Sequence, residues 1–411
     1  MQDYFGLSAD RIAGLLDFSP ANADAAALRQ AVFDIWWSRD YSAWGRLKGR
    51  SYDLAQWPVA DRMVLFLRKD TAARIWDLGS GDGSVFNPLA ALPPNLCNEN
   101  WQPLQAHTII GVAGSRLGQL QGPIGLALDA EGRLAVSEEH NDRISLFSQT
   151  GELLGLYAAG DEEALLERPG GLRFGVDGNL YVADTWNYRV QVLDGEGRSL
   201  RTWGVPGLYG QNAPAEPSDA LWGPRDLVQD ADGLWYVADT GNKRIRVYTG
   251  AGQWLRDIGA GGSGPGELDE PSGLALHPDG RLFIADTWNR RIAVFNQDGS
   301  FLTQYPLSAW FGDRGNRPYL ALDVLRDLLY VGDPDAGRVL VLDTAGNCLG
   351  SFGEPGGDDP AGSRIGTVAG LAVDEQGGVW LADSGSGRIL GFPPFPLEPL
   401  SMDAYPPPQA P

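Results

Sequence analysis

The chain has 411 residues, 43% apolar and 21% charged, which allows two or three domains with an ordinary globular core. Its formal net charge is −21, and because 12 of the 53 acidic and 10 of the 32 basic residues precede residue 106, the remainder carries 41 against 22, net −19. Such acidity disfavours nucleic acid and anionic membranes as partners, while 55 glycines and 28 prolines favour turn-rich β structure over a helical bundle.

Residues 1–80 are expected to form a small helical segment with one short strand. Residues 8–17 and 22–39 carry helical spacing, with Leu28, Val32, Ile35 and Trp36 on one face and Ser8 and Asn22 as N-caps. Met63 to Leu67 reads as a short strand and Asp70 to Trp76 as a short helix. Residues 81–105 read as a linker, with Pro88, Pro93, Pro94 and Pro103. No signal-peptide pattern stands at Met1, and no run approaches the ~18 apolar residues of a spanning helix, so the chain is expected to be soluble. The two cysteines, Cys97 and Cys348, are too far apart in sequence to read as a disulfide framework.

The string Ile75-Trp-Asp77-Leu-Gly79-Ser-Gly81-Asp-Gly83 is similar to the glycine-rich first motif of S-adenosylmethionine-dependent methyltransferases. That motif needs a following helix and a second parallel strand. Here Asn87-Pro88 and Pro93-Pro94 follow, leaving no room for a βαβ unit, so a loop is expected.

From Pro123 the sequence repeats. Copies begin at Pro123, Pro169, Pro224, Pro271, Pro318 and Val368, spaced 46, 55, 47, 47 and 50 residues apart. In the fourth copy Gly273 to Leu276 is a short apolar run, followed by a Pro278-Asp279-Gly280 turn. A second run ends at Ala285, an Asp-Thr-Trp-Asn turn leads to a third (Ile292 to Phe295), and Asp298-Gly299 leads to a fourth (Phe301 to Tyr305). Four antiparallel strands at this period make one propeller blade. The sixth copy stops after its third strand, Arg388 to Phe392. Residues 107–112 supply the missing fourth strand and are expected to close the ring, because open propeller edges would be exposed. The fold expected is therefore an all-β, six-bladed β-propeller over residues 106–395, with a Pro-rich tail at 396–411.

The recurring pattern P-x-G-x-A…D-G-x-[LIV]-[YF]-[VI]-A-D-T-x-N-x-R resembles the NHL repeat. The resemblance implies a platform for protein or RNA binding, although related six-bladed rings include lactonases and lyases. Trp57-Pro-Val-Ala-Asp-Arg62 and Leu67-Arg-Lys-Asp70-Thr-Ala-Ala-Arg-Ile-Trp76 also resemble the soluble segment of bacterial proteins that join a glycosyltransferase-like membrane half to an NHL propeller. That second resemblance implies a cell-envelope setting.

Residues repeated in every blade are expected to hold the blade together. The acid–arginine pairs Glu138/Arg143, Asp184/Arg189, Asp239/Arg244, Asp286/Arg291, Asp333/Arg338 and Asp383/Arg388 always lie five residues apart, across one tight turn, and suit that role. His107, His140 and His277 fall in dissimilar positions, so no zinc site is expected. Calcium in the central channel stays open, with Asp226 the clear polar residue of the channel-facing strands.

Residues that differ between blades are free to recognise a ligand. In an antiparallel blade the turns between strands two and three open on the same face as the inter-blade links. That face is expected to carry Trp186, Trp288, His140, Tyr209, Trp222, Arg225, Asp226, Trp310 and Arg317. A protein or glycan partner without catalysis is the first reading; a metal-dependent lactonase or lyase at the channel mouth is the second.

Overall fold

In the computed structural model, residues 100–157, 165–207, 219–307, 317–357 and 362–397, with Cys97, Trp310 and Asp359, are described fully; three strands within 52–77 are described by their backbone. The helices expected at 8–17 and 22–39, Gly79 to Gly83, Tyr209 and nearly all of the tail lie outside the described residues. The chain divides into two units, Met1–Asn95 and Leu96–Pro411.

The first unit contains an antiparallel meander of Tyr52–Val59, Arg62–Lys69 and Ala72–Asp77. The expected strand at 63–67 lies within the second of these. The helix expected at 70–76 is instead a strand, with Phe66 opposite Ile75 and Leu65 opposite Trp76. Seven residues nucleate a helix poorly, whereas the adjacent strand offers a partner along the whole segment.

The second unit is a six-bladed ring of four-stranded antiparallel sheets. Blade three shows the pattern: Pro224–Gln229, Trp235–Asp239, Arg244–Tyr248 and Trp254–Ile258, in sequence order. Its second strand is buried along its full length because blades pack against both of its faces, which is why Trp-Tyr-Val-Ala can run without polar alternation. The core is correspondingly divided into clusters between neighbouring blades. One joins Tyr181, Val190 and Val192 of blade two to Leu227, Trp235 and Val237 of blade three.

Buried hydroxyls tie each of blades one to four to the next blade near the axis. Ser137 Oγ donates to the Gly170 carbonyl at 2.6 Å, Thr185 to Pro224 at 2.8 Å, Thr240 to Pro271 at 2.6 Å, and Ser272 to Pro318 at 2.9 Å. These bonds explain the threonine that follows the aspartate in blades two and three; in blade four Ser272 makes the bond and also meets the Thr287 hydroxyl at 2.8 Å.

The ring closes as expected: Thr108–Ile110 pairs antiparallel with Arg388–Phe392, Ile110 opposite Ile389 and Thr108 opposite Gly391. Two further connections were not legible. Trp101–Gln102 adds a fifth, parallel strand to blade five, beside Ser351 and Phe352. Cys97 and Cys348 form a disulfide with Cα atoms 5.4 Å apart. The expected linker at 81–105 is thus anchored to the propeller at its C-terminal end.

Candidate functional site at the channel mouth

All six acid–arginine pairs form ion pairs across their turns. Glu138 and Arg143 lie 2.8 Å apart, Asp184 and Arg189 2.8 Å, and Asp239 and Arg244 2.9 Å. Asp286 and Arg291 lie 2.6 Å apart, Asp333 and Arg338 2.9 Å, and Asp383 and Arg388 3.0 Å. A role confined to the turn is nevertheless too narrow for these arginines. Arg143 Nη2 also donates to the Gln119 carbonyl at 2.8 Å, Arg189 Nη2 to Leu165 at 2.8 Å, Arg291 Nη2 to Glu267 at 2.7 Å, and Arg388 Nη2 to Arg364 at 2.8 Å. Each acceptor lies in the link entering that blade. A guanidinium has five N–H donors, so one carboxylate leaves several to reach further.

The carboxylates reach the links as well. In blade three Arg244 Nε donates to Asp239 Oδ2 at 2.9 Å, while Asp239 also accepts from the Asn242 amide and, at 2.6 Å, from the Trp222 backbone N–H. Equivalent backbone bonds join Glu167 to Asp184, Asp269 to Asp286 and Gly366 to Asp383. The pairs of blades one, two, three, four and six therefore fix both their turn and the incoming inter-blade link. Burial raises the carboxyl pKa of Asp239, and the guanidinium of Arg244 with the surrounding N–H donors opposes that rise.

On the face formed by these turns, Trp186 and Trp288 are 38% and 45% exposed. They occupy one turn position in blades two and four, where the other blades carry His140, Gly241, Asp335 and Gly385. Tyr188 stacks on Trp222, ring centroids 4.9 Å apart, and meets Trp186 edge-on at 6.4 Å. Blades two and three thus share a patch of three aromatic rings. His140 is exposed on the same face.

Two expected members of the face lie elsewhere. Trp310 is fully buried between blades four and five, its indole N–H donating to the Gly332 carbonyl at 3.0 Å. Its link supplies a core side chain rather than a surface one. Asp226 is also fully buried. Its two oxygens accept the backbone N–H groups of Leu227 and Leu274, each at 2.9 Å, and Arg173 Nη2 approaches at 3.5 Å. A Cβ on Gly171 would collide with this carboxylate, so glycine is required there.

Arg225 and Arg317 belong to a cluster that pairwise comparison of repeats overlooked. Arg317 Nη1 lies 3.0 Å from Glu139 Oε1, and Arg168 Nε lies 3.4 Å from the same oxygen. The Tyr319 hydroxyl donates to the Arg225 carbonyl at 3.2 Å. These contacts connect blades one and five, and blades three and five. Such blades are not neighbours, so the contacts bridge the central channel.

The cluster draws on three positions of the repeat, one of them the residue after the opening proline, where Arg225 stands. The residue before each opening proline is Gly122, Arg168, Gly223, Glu270 and Arg317. Gly122 and Gly223 have φ of +61° and +62°, a left-handed conformation natural to glycine. Arg168 and Glu270 adopt it too, at +47° and +52°, against their intrinsic preference. Strain of this kind gathers at functional sites. The third position is that of the inter-blade hydroxyl, where Glu139 stands in place of Thr185 and Thr240.

Electrostatics at the mouth follow from crowding. Burial, followed by repulsion from Arg317, lowers the Arg225 guanidinium to about 10. Burial pushes the Glu139 carboxyl up, but Arg317, Arg168 and Arg225 outweigh it and hold that group below its ordinary value. The Glu270 carboxyl is raised by burial, with Arg225 opposing and Asp269 adding to the rise.

The donor set does not fit calcium or zinc. Asp226 is engaged by backbone N–H groups and Glu139 by guanidiniums. Among the described residues no three His, Cys, Asp or Glu side chains are grouped for a metal. The histidines stand apart: His277 is flanked by Asp279 at 2.8 Å and Asp327 at 3.3 Å, while His107 packs edge-on to Trp380.

The NHL repeat model matches residues 166–193 and 268–295, within blades two and four and the links preceding them. No curated protein matches the sequence. Among solved structures the chain is similar to virginiamycin B lyase from Staphylococcus aureus, at 14% identity and a TM-score of 0.46, covering 84% of this chain and 100% of that one. It is also similar to a gluconolactonase from Xanthomonas campestris, at 17% identity and a TM-score of 0.47, covering 71% and 97%. A third is hydrazine synthase from Kuenenia stuttgartiensis, at 16% identity and 0.44, covering 68% and 97%.

Proposed function

We propose that this six-bladed NHL-repeat propeller is a non-catalytic recognition platform for a protein or glycan. The observation that carries the reading is the inequality of one face. Trp186 and Trp288 stand exposed where the equivalent turns of the other blades carry small or polar residues, and the Tyr188–Trp222 stack extends the aromatic surface beside Trp186. Rigid aromatic anchors contribute large contact area at low entropy cost and dominate binding energy. The opposite face carries short turns such as Asp177-Gly178, Glu196-Gly197 and Asp298-Gly299, alike from blade to blade.

The alternative reading, a metal-dependent lactonase or lyase, needs convergent carboxylates or histidines at the channel mouth. The carboxylates there are partnered by guanidiniums or crowded by them, which opposes a cation. The setting proposed for the platform is the bacterial cell envelope, beside glycosyltransferase-like membrane machinery. It rests on the resemblance of Trp57 to Arg62 and Leu67 to Trp76, and fractionation of the native protein tests it.

The functional test is paired substitution. Trp186→Ala with Trp288→Ala should abolish capture of a purified protein or glycan found by array screening, with the melting temperature preserved. Charge reversal at Glu196 and Asp298 should leave capture intact. The opposite pattern would assign binding to the other face.

A further inference from the structure

We propose that the channel mouth is a binding site for a carboxylate group, with Arg225 as its anchor and Arg168 and Arg317 as its flanks. The site shares a face with the aromatic residues but does not depend on them, so either assignment can fail alone.

Three guanidiniums converge here in a unit whose net charge is strongly acidic. Two carboxylates, Glu139 and Glu270, oppose them, leaving one positive charge in excess. Glu139 is committed to Arg317 and Arg168. Arg225 is different: its side chain forms no hydrogen bond and no ion pair with any described residue, and it stays partly exposed at the mouth, where Arg317 repels it. A guanidinium that has no carboxylate partner and faces a second cation is unfavourably placed, and an anion reaching down the channel would relieve that repulsion. The planar guanidinium fork matches a carboxylate in a bidentate pair. The charge balance selects the same class. One monoanion neutralises the excess, whereas a dianionic phosphate would set a further negative charge beside Glu139 and Glu270.

The backbone adds an independent observation. Arg168 and Glu270 hold left-handed φ at positions where blades one and three use glycine. The charged side chains are thus retained at the mouth against conformational preference, one of each sign. Arg168 flanks the anion, and Glu270 limits the total positive charge.

The test is calorimetric titration of the full chain with sodium acetate, with acetamide as the uncharged isostere and inorganic phosphate as the competing oxyanion, at constant ionic strength. Acetate is expected to bind with a Kd of about 1 mM or below, and acetamide not to bind. Arg225→Gln should weaken acetate about 10- to 100-fold with the melting temperature preserved. Glu270→Gln should tighten it about threefold or more, a gain that misfolding cannot produce. Binding that is absent, or unaltered by both substitutions, overturns the site. Phosphate binding tenfold tighter than acetate overturns the carboxylate assignment. Loss of acetate binding in Trp186→Ala with Trp288→Ala would overturn the independence of the two assignments.

Discussion

Glu139 of blade one and Arg317 at the start of blade five are 178 residues apart in sequence, yet their side chains meet at 3.0 Å across the central channel. The pair depends on ring closure, because only a closed ring brings the mouths of non-neighbouring blades together. Removal of residues 1–113 would delete Thr108–Ile110 and leave Arg388–Phe392 as an open edge. This truncation should lose the cooperative melting transition in circular dichroism, while removal of 1–95 should retain it. Equal melting of the two would refute closure by this strand.

The turn pairs should matter to stability and not to recognition. Arg244→Ala leaves Asp239 buried, with only the Asn242 amide and the Trp222 N–H. A loss of about 1–3 kcal/mol in denaturant unfolding is expected. Binding by the aromatic face should be unchanged.

The disulfide should stabilise the native ring by constraining a long loop. Cys97 and Cys348 are 251 residues apart, and Cys348→Ser is expected to cost about 2–4 kcal/mol. Addition of a reductant to the native protein should lower the melting temperature to that of the variant, and should leave the variant unaffected.

Glu270 gives a pH signature of opposite sign to an ordinary ion pair. Its folded pKa is raised by burial, against Arg225, Lys243 and Arg317, with Asp269 adding to the rise. The folded state therefore holds this proton more tightly than the unfolded chain, and stability falls as pH rises through the folded pKa. Glu270→Gln should raise the melting temperature at pH 7, and the gain should shrink as pH falls toward the unfolded value. A gain constant with pH would contradict the assignment.

The repeats made the propeller legible because each blade must solve the same packing problem. Apolar second strands, Asp-Gly turns and acid–arginine pairs recur, and the missing fourth strand of blade six pointed to residues 107–112. The spacing of five showed that Arg143, Arg189, Arg291 and Arg388 face a carboxylate. It did not show their bonds to the link carbonyls, because the links differ in length and sequence from blade to blade. Trp101–Gln102 was invisible because two residues carry no alternation. The disulfide was invisible because a spacing of 251 residues contains no geometry. Trp310 read as a surface residue because a link's sequence does not show which way its ring turns. Ala72–Asp77 has helical composition, and pairing with its neighbouring strand overrides it.

The channel cluster was legible only in part. Arg225 and Arg317 stood out as departures from the repeat. Arg168, Glu270 and Glu139 did not, although aligning the residue before each opening proline would have exposed the first two as departures from Gly122 and Gly223. Comparison of what repeats finds the scaffold; the site lies in the columns that fail to repeat.

The central claim is that recognition uses the face of the two-to-three turns and inter-blade links. Hydrogen–deuterium exchange of the full chain, with and without a protein or glycan obtained by array screening, tests it most directly. The account predicts protection of Thr185 to Tyr188, Thr287 to Arg290 and the link around Trp222. Protection confined to the turns at Asp177 to Asn179, Glu196 to Arg198 and Asp298 to Ser300 would contradict it.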